Sequence, residues 1–204
     1  MGTDLDKLFS KDPYALFQTW FKEAVNAKLP EPNAMVLSTI SDSGRPNSRV
    51  VLLKGVTNNQ FQFFTNLHSQ KGHEIEKNPQ ACLLFFWPTL GHSLGRQVRI
   101  DGSVIKLSDE ESDAYFATRA RDSQLGAWAS HQSEVLDSRD TLEKRFHQAK
   151  ERFEGQAVTR PPHWGGLALI PERFEFWIGQ DNRLHDRCRY TLNLGVWARQ
   201  RLNP

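Results

Sequence analysis

What most limits the folds open to this chain is the way short apolar runs alternate with turn residues. AMVLSTI from Ala34 meets a turn at Asp42-Ser43-Gly44-Arg45-Pro46, SRVVLLKGV follows, and Asn58-Asn59 turns the chain into FQFFTN. Runs of this length closed by Gly, Asn and Pro read as strands of an antiparallel meander. ACLLFFW, RQVRIDGSVIKL, GLALI, RFEFWIG, RCRYTL and VWARQRL continue the pattern. Helical signals fall between them. Asp12-Pro13 reads as an N-cap with proline in the first turn. Leu16, Trp20 and Ala24 then share one face until Pro30 and Pro32. A second helix is expected from Ser69 to about Lys77, stopped by Asn78-Pro79. Ser108 and Glu111 form a capping box that opens a third, running toward Arg119. Two more are expected over 123–130 and after Ser138, where Leu142, Phe146, Ala149 and Phe153 keep helical spacing. With six to eight strands, about five helices and no strict βαβ alternation, the chain reads as mainly β with flanking helices. A helix-decorated barrel or sandwich fits; a doubly wound sheet does not. Residues 1–204 are expected to form one domain behind a flexible N-terminal segment, 1–11.

Several function classes fall away. Twenty-six basic against 24 acidic residues leave a net charge of +2, too even for a nucleic-acid surface. No apolar run is long enough to span a bilayer, and the first residues lack the pattern of a signal peptide, so a cytoplasmic location is expected. Cys82 and Cys188 are not at zinc spacing and the seven histidines are scattered, so no metal site is expected. Without an export signal, a structural disulfide is not expected either. Gly91-His92-Ser93-Leu94-Gly95 matches a nucleophile elbow by letter, yet Arg96–Leu107 reads as strand where the mechanism needs a helix. Phe63, Phe64, Phe85, Phe86 and Trp87 lie in apolar strands and read as core.

Four groups of cations beside short polar side chains remain: Arg49 with Lys54; Thr65, Ser69 and Lys71; Arg119, Arg121 and Ser123; and Arg183, His185 and Arg187. The second runs from a strand end into a helix start, where free backbone N–H groups favour an anion. Arginine and lysine complete such a cradle. Read from the residues alone, this is an anion-binding β-protein.

The order of longer motifs says more. Phe174-Glu175-Phe176-Trp177 followed by Arg183-Leu184-His185-Asp186-Arg187 resembles the C-terminal signature of the pyridoxamine 5′-phosphate oxidase family. Arg49–Lys54, Phe64-Thr65-Asn66, Arg96-Gln97-Val98, Arg121–Trp128 with Ser130, Gln132 and Ser133, and the closing Arg201-Leu202-Asn203-Pro204 resemble it in the same order. The resemblance spans roughly 12–204. It implies an FMN-binding split β-barrel of Greek-key type, a homodimer with FMN in two intersubunit clefts, and oxidation of a phosphorylated B6 vitamer by O2. By position, Arg49, Lys54, Phe64, Thr65, Gln70, Lys71 and Gln97 would meet FMN from one side. Gln132, Ser133, Trp177 and Arg187 would complete the site from the partner subunit. Lys54, Tyr115, Arg119 and Ser123 would hold the substrate phosphate, with Arg183 and His185 as catalytic residues over the pyridine ring.

The sequence departs from the family in places. Gln70 stands where arginine is usual, Ile178 replaces a polar residue, the loop at 91–95 is longer, and a basic N-terminal segment is lacking. Phenazine-biosynthesis flavin oxidases of the same fold share the Ser-Gln-Lys variant and are the alternative. A non-catalytic flavin- or heme-binding split-barrel module is another.

Overall fold

The computed structural model describes residues 9–91 and 94–204. Its longest strand, β7 (Trp164–Ile178), organises the sheet. The two apolar runs that read as separate strands are one strand bent at Pro171. Pro171 has no N–H to give a ladder and is tolerated at an irregularity. The register with β6 (Arg96–Lys106) slips at that point, between Asp101 and Gly102. A Cβ on Gly102 would stand 2.0 Å from the Ile170 carbonyl oxygen, so only glycine fits.

Among the described residues nine strands form one antiparallel sheet, one more than the upper expectation. β1 (Ala34–Ile40) pairs with β2 (Pro46–Leu52) and with β5 (Gln80–Trp87). β5 pairs with β6, and β6 with β7. The first half of β7 pairs with β4 (Gln60–Asn66), which pairs with the short β3 (Gly55–Thr57). Its second half pairs with β8 (Asp186–Asn193), which carries β9 (Val196–Leu202). The expected plain meander over 34–66 is not formed, because β1 and β4 find their neighbours far along the chain. β3 continues β2 through Leu53 and Lys54, and the Lys54 N–H donates to the Gln62 carbonyl at 2.9 Å. The sheet thus curls into a split barrel.

Helix α1 (Pro13–Asn26) plugs this barrel with Leu16, Phe17, Trp20 and Ala24. Its N-cap is Asp12, whose side chain accepts from the Tyr14 N–H. Phe17 meets Phe61 edge to face at 4.9 Å, and Trp20 meets Phe176 at 5.1 Å. Truncating Phe17 to alanine would cost about 3–5 kcal/mol. Of the expected flexible segment 1–11, residues 1–8 lie outside the described residues, and the part from Phe9 is held in place. Phe9 is buried, its carbonyl accepts from Arg199, and the Ser10 carbonyl accepts from the Tyr190 hydroxyl at 2.6 Å. Phe86 is also corrected: strand alternation turns it outward, 54% exposed, while Phe85 and Trp87 point in.

Four further helices lie outside the barrel: α2 (Gln70–Lys77), α3 (Asp109–Ala117), α4 (Arg121–Ala129) and α5 (Arg139–Arg152). The Ser108–Glu111 capping box opens α3 as read. Phe116, Leu125, Ala149, Phe153, Val158 and Trp164 form a second apolar cluster that fixes α3–α5 beside the start of β7. In the 91–95 loop, His92 and Ser93 lie outside the described residues, and strand β6 rather than a helix follows.

Candidate active site

A cleft of about 720 Å3 opens between the β2–β4 rim and helices α3 and α4. That is within the roughly 300–1,000 Å3 of small-molecule sites. Eight of the expected binding residues line it in this one chain: Lys54, Phe64, Thr65, Lys71, Tyr115, Arg119, Ser123 and Gln132.

At one end, α2 begins at Ser69, whose side chain makes no cap bond to the helix. Its hydroxyl instead donates to the Asn66 carbonyl at 2.6 Å and accepts from Lys71. The chain approaches itself closely here, since a Cβ on Gly72 would lie 1.9 Å from the Leu67 carbonyl oxygen. Lys71 Nζ donates to Gln132 Oε1 at 2.6 Å, Ser69 Oγ at 3.0 Å and Thr65 Oγ1 at 3.2 Å. No carboxylate touches it among the described residues. Burial, then the nearby Arg49 charge, push Lys71 down to about 8, against a smaller opposing pull from Glu74.

Arg49 lies behind the cleft wall. Its Nη1 donates to Thr39 Oγ1 at 2.5 Å and the Leu37 carbonyl at 3.2 Å, and its Nη2 to Glu74 Oε2 at 3.1 Å. Glu74 is buried and also accepts from Thr39 at 2.5 Å, Asn47 at 2.5 Å and Gln70 at 2.9 Å. Burial alone would raise its carboxyl pKa, but these four donors outweigh it and hold the group below its ordinary value. Gln70 is thus spent on Glu74 rather than aimed into the cleft.

At the other end, α4 starts at Ala120 without a side-chain cap, and Ser123 stands in its first turn. Arg119 precedes it. Its guanidinium lies 4.7 Å from the Trp164 ring and 5.5 Å from Phe116, and its Nη1 is buried with no partner. Burial lowers its pKa, with Tyr115 opposing. Phe64 stacks on Tyr115 at 3.9 Å, and Lys54 Nζ lies 6.0 Å from the Tyr115 ring. Arg121 turns away and caps the end of α5 through the Phe153 and Gln156 carbonyls at 2.6 and 2.9 Å.

The remaining expected residues stand elsewhere. Gln97, Trp177 and Arg187 lie in register across β6, β7 and β8. Arg187 donates to Glu175 Oε1 at 2.6 Å through Nη2 and at 3.0 Å through Nε. His185 Nδ1 accepts from the Gln180 N–H at 3.1 Å, with its ring 4.6 Å from Trp177. Arg183 is exposed, with φ of 60°, at the end of a 3-10 turn over Asp181–Arg183. This strip does not line the cleft of its own chain. Gln132 differs from expectation in the opposite way: it was assigned to the partner's side, yet it bonds Lys71 within one chain. Ser133 beside it is exposed, with φ of 75°.

Residues 21–153 match the family model described as pyridoxamine 5′-phosphate oxidase, and 164–204 match one described as the pyridoxine 5′-phosphate oxidase C-terminal dimerisation region. The chain belongs to the pyridoxamine 5′-phosphate oxidase family. The first match holds most of the cleft and Gln97 of the strip; the second holds Trp164 of the cleft and Trp177, Arg183, His185 and Arg187 of the strip. A pyridoxine/pyridoxamine 5′-phosphate oxidase of Rubrobacter xylanophilus is 54% identical, covering 95% of this chain and 87% of that protein. One of Microcystis aeruginosa is 52% identical, covering 98% and 92%. Among solved structures, PhzG from Burkholderia lata 383, in complex with tetrahydrophenazine-1-carboxylic acid, superposes with a TM-score of 0.90. It is 29% identical and covers 100% of this chain and 98% of its own. A pyridoxamine 5′-phosphate oxidase-related FMN-binding protein of Nostoc punctiforme shares the fold, with a TM-score of 0.73 at 18% identity.

Two residues of this family member were missed in the sequence. Glu74, four residues after Gln70, had the spacing of a helical partner. Trp164 stands before Gly165-Gly166, a pair of glycines opening a strand, which is a sign of close approach.

Proposed function

We propose that this chain is an FMN-dependent oxidase that converts pyridoxamine 5′-phosphate, pyridoxine 5′-phosphate or both to pyridoxal 5′-phosphate. O2 is the acceptor and H2O2 the second product; the amine substrate also consumes water and releases ammonia. The observation that carries this reading is a cleft with cations at both ends, Lys54, Lys71 and Arg119, none of them ion-paired among the described residues, and with Arg119 Nη1 buried without a partner. An orphaned buried donor is costly, so an arrangement that keeps one suits an anionic ligand. Two separated cation groups suit two phosphates.

The residues fit FMN at the Lys71 end. Lys71, Thr65 and the uncapped start of α2 would hold its phosphate, with Arg49 held behind them by its ion pair to Glu74. Bound there, FMN would supply the redox chemistry, a two-electron oxidation of the substrate at C4′ with O2 as the final acceptor. The chain's own residues bind and orient. Arg119 offers a planar fork to the substrate phosphate, Lys54 a point charge, and Tyr115 and Ser123 hydroxyl donors. Anchoring the phosphate limits where C4′ can stand, so much of the rate advantage is positional. The match to a dimerisation region supports a homodimer; in it, one chain's strip would face its partner's cleft. Arg183 and His185 would then reach the pyridine ring, with Gln97, Trp177 and Arg187 beside the flavin.

The test is oxygen consumption with FMN and each phosphorylated vitamer. Turnover with stoichiometric peroxide supports the reading; yellow protein that turns over neither vitamer sinks it and favours a non-catalytic flavin module. The likeness to PhzG favours a second reading, a phenazine-type oxidase. Turnover of tetrahydrophenazine-1-carboxylic acid in place of the vitamers would establish that one, and the phosphate anchors argue against it.

A further inference from the structure

Phe64, Tyr115 and Trp164 come from β4, α3 and β7, yet their rings are almost parallel. Tyr115 and Trp164 differ by 3°, Phe64 and Trp164 by 12°, and Phe64 and Tyr115 by 14°. The separations are 3.9 Å from Phe64 to Tyr115 and 5.5 Å from Phe64 to Trp164. Together they form one stacked aromatic plate in the lining of the cleft, with Tyr115 and Trp164 6.2 Å apart. Both cations proposed for the substrate phosphate lie near its rings: Arg119 is 4.7 Å from Trp164 and Lys54 is 6.0 Å from Tyr115. Only Arg119 is close enough for a firm cation–π contact, which strengthens when the pair is desolvated.

Backbone features hold the plate in place. A Cβ on Gly166 would lie 2.7 Å from Phe64 Cε1, so glycine is what lets Phe64 lie flat. Arg160 straps the start of β7 to α3, donating to the Trp164 carbonyl at 2.7 Å, Asp113 at 2.6 Å and Asp109 at 2.9 Å. The strand carrying Trp164 and the helix carrying Tyr115 are therefore locked together. Arg119, just after that helix, has no carboxylate to orient it among the described residues. Its Nη1 is buried without a partner, so an aromatic face is what aims the guanidinium.

We infer that Trp164 is a positioning residue for the substrate phosphate: its indole face holds the Arg119 fork toward the cleft, and the plate sets the spacing between Arg119 and Lys54. This rests on the oxidase reading above and adds a specificity-determining residue to it. Trp164 is 6% exposed and packs on Phe116 at 5.1 Å, so a plain core role is the competing explanation.

The experiment measures KM, kcat and flavin content of the FMN-loaded dimer with pyridoxamine 5′-phosphate, alongside inhibition by inorganic phosphate. Trp164→Leu is expected to raise KM and the phosphate inhibition constant about tenfold, with kcat within about twofold and flavin content unchanged. Trp164→Phe, which restores a ring face, should recover most of that loss. Arg119→Lys keeps the charge but not the stacking fork. It should raise KM in the parent and add little in the Trp164→Leu background, because both changes remove one interaction. Additive effects, an unchanged KM, or kcat and flavin content falling as KM rises would each overturn the inference. Should Trp164→Leu not fold, the same cycle built with Trp164→Met, which fills the space without a ring face, decides: coupling with Arg119→Lys supports the role and strict additivity rejects it. A parent protein inactive on both vitamers would refute the oxidase reading. An active parent with uncoupled variants would refute only the role of Trp164.

Discussion

The cleft and the β6–β8 strip both gather cations, and they treat them in opposite ways. On the strip Arg99, Arg173 and Arg187, with Arg201 on the neighbouring strand, each have a carboxylate. Glu175, 6% exposed, binds both Arg187 at 2.6 Å and Arg99 at 3.2 Å. Asp101 takes Arg173 at 2.6 Å and Asp186 takes Arg201 at 3.1 Å. In the cleft, Lys54, Lys71 and Arg119 have no ion pair among the described residues, and Lys71 is held below its ordinary value. Paired charge has already been answered within the chain, so removing one partner strands the other. Unpaired charge in a cavity weakens the empty protein and becomes favourable when an anion arrives. The paired charges of the strip therefore tie its strands together, while those of the cleft are left unanswered within the chain.

That contrast can be broken, and the largest effect should come from Lys71→Met. It should weaken FMN binding about 100-fold, the scale of a lost charged hydrogen bond, read by quenching of flavin fluorescence. The ligand-free protein should be no less stable; a clear fall in its unfolding midpoint would erase the distinction between the regions. Next, Glu175→Ala should cost about 2 kcal/mol in denaturant unfolding, because two arginines lose one partner; a neutral result would mean the strip pairs are idle. Arg119→Met should raise KM for the phosphorylated substrate about tenfold while stabilising the ligand-free fold by about 0.5–1 kcal/mol, as a buried orphan donor disappears. A loss of stability there would show that Arg119 has a structural partner after all.

The smallest effect is the pH dependence. Lys71 is pushed down to about 8 from an ordinary 10.5. FMN affinity should decline several-fold as pH rises through about 8, since the neutral amine attracts no phosphate. Stability of the ligand-free protein should move the other way. Between about 8 and 10.5 the unfolded chain binds the extra proton, so stability rises with pH, and the penalty stays in full below 8. A flat binding profile from pH 7 to 9 would mean that Lys71 is not the titrating cation.

Much of the fold could be read locally. Asp12 and Ser108 cap their helices as the capping patterns predict, and the alternation in FQFFTN buries Phe61 and Phe63 while leaving Phe64 to the cleft. Elements joined by long-range pairing were harder. Nothing near Pro171 says that the runs on either side form one strand, since the bulge is set by Gly102 on the neighbour. Phe9 looked like part of a loose tail because its partners, Trp20 and Arg199, are distant in sequence.

The site divides along the same line. Residue types and their order already named an anion-binding β-protein, because a cation beside a hydroxyl at a strand end or helix start carries its chemistry in one short stretch. Which cations face a ligand and which face a carboxylate was decided by tertiary structure alone. Glu74 claims Arg49 and Gln70, Glu175 claims Arg187, and Arg119 is left to Trp164. Charge is neutralised across strands and helices that are far apart in sequence, so only the folded chain shows which positive groups are left for a ligand.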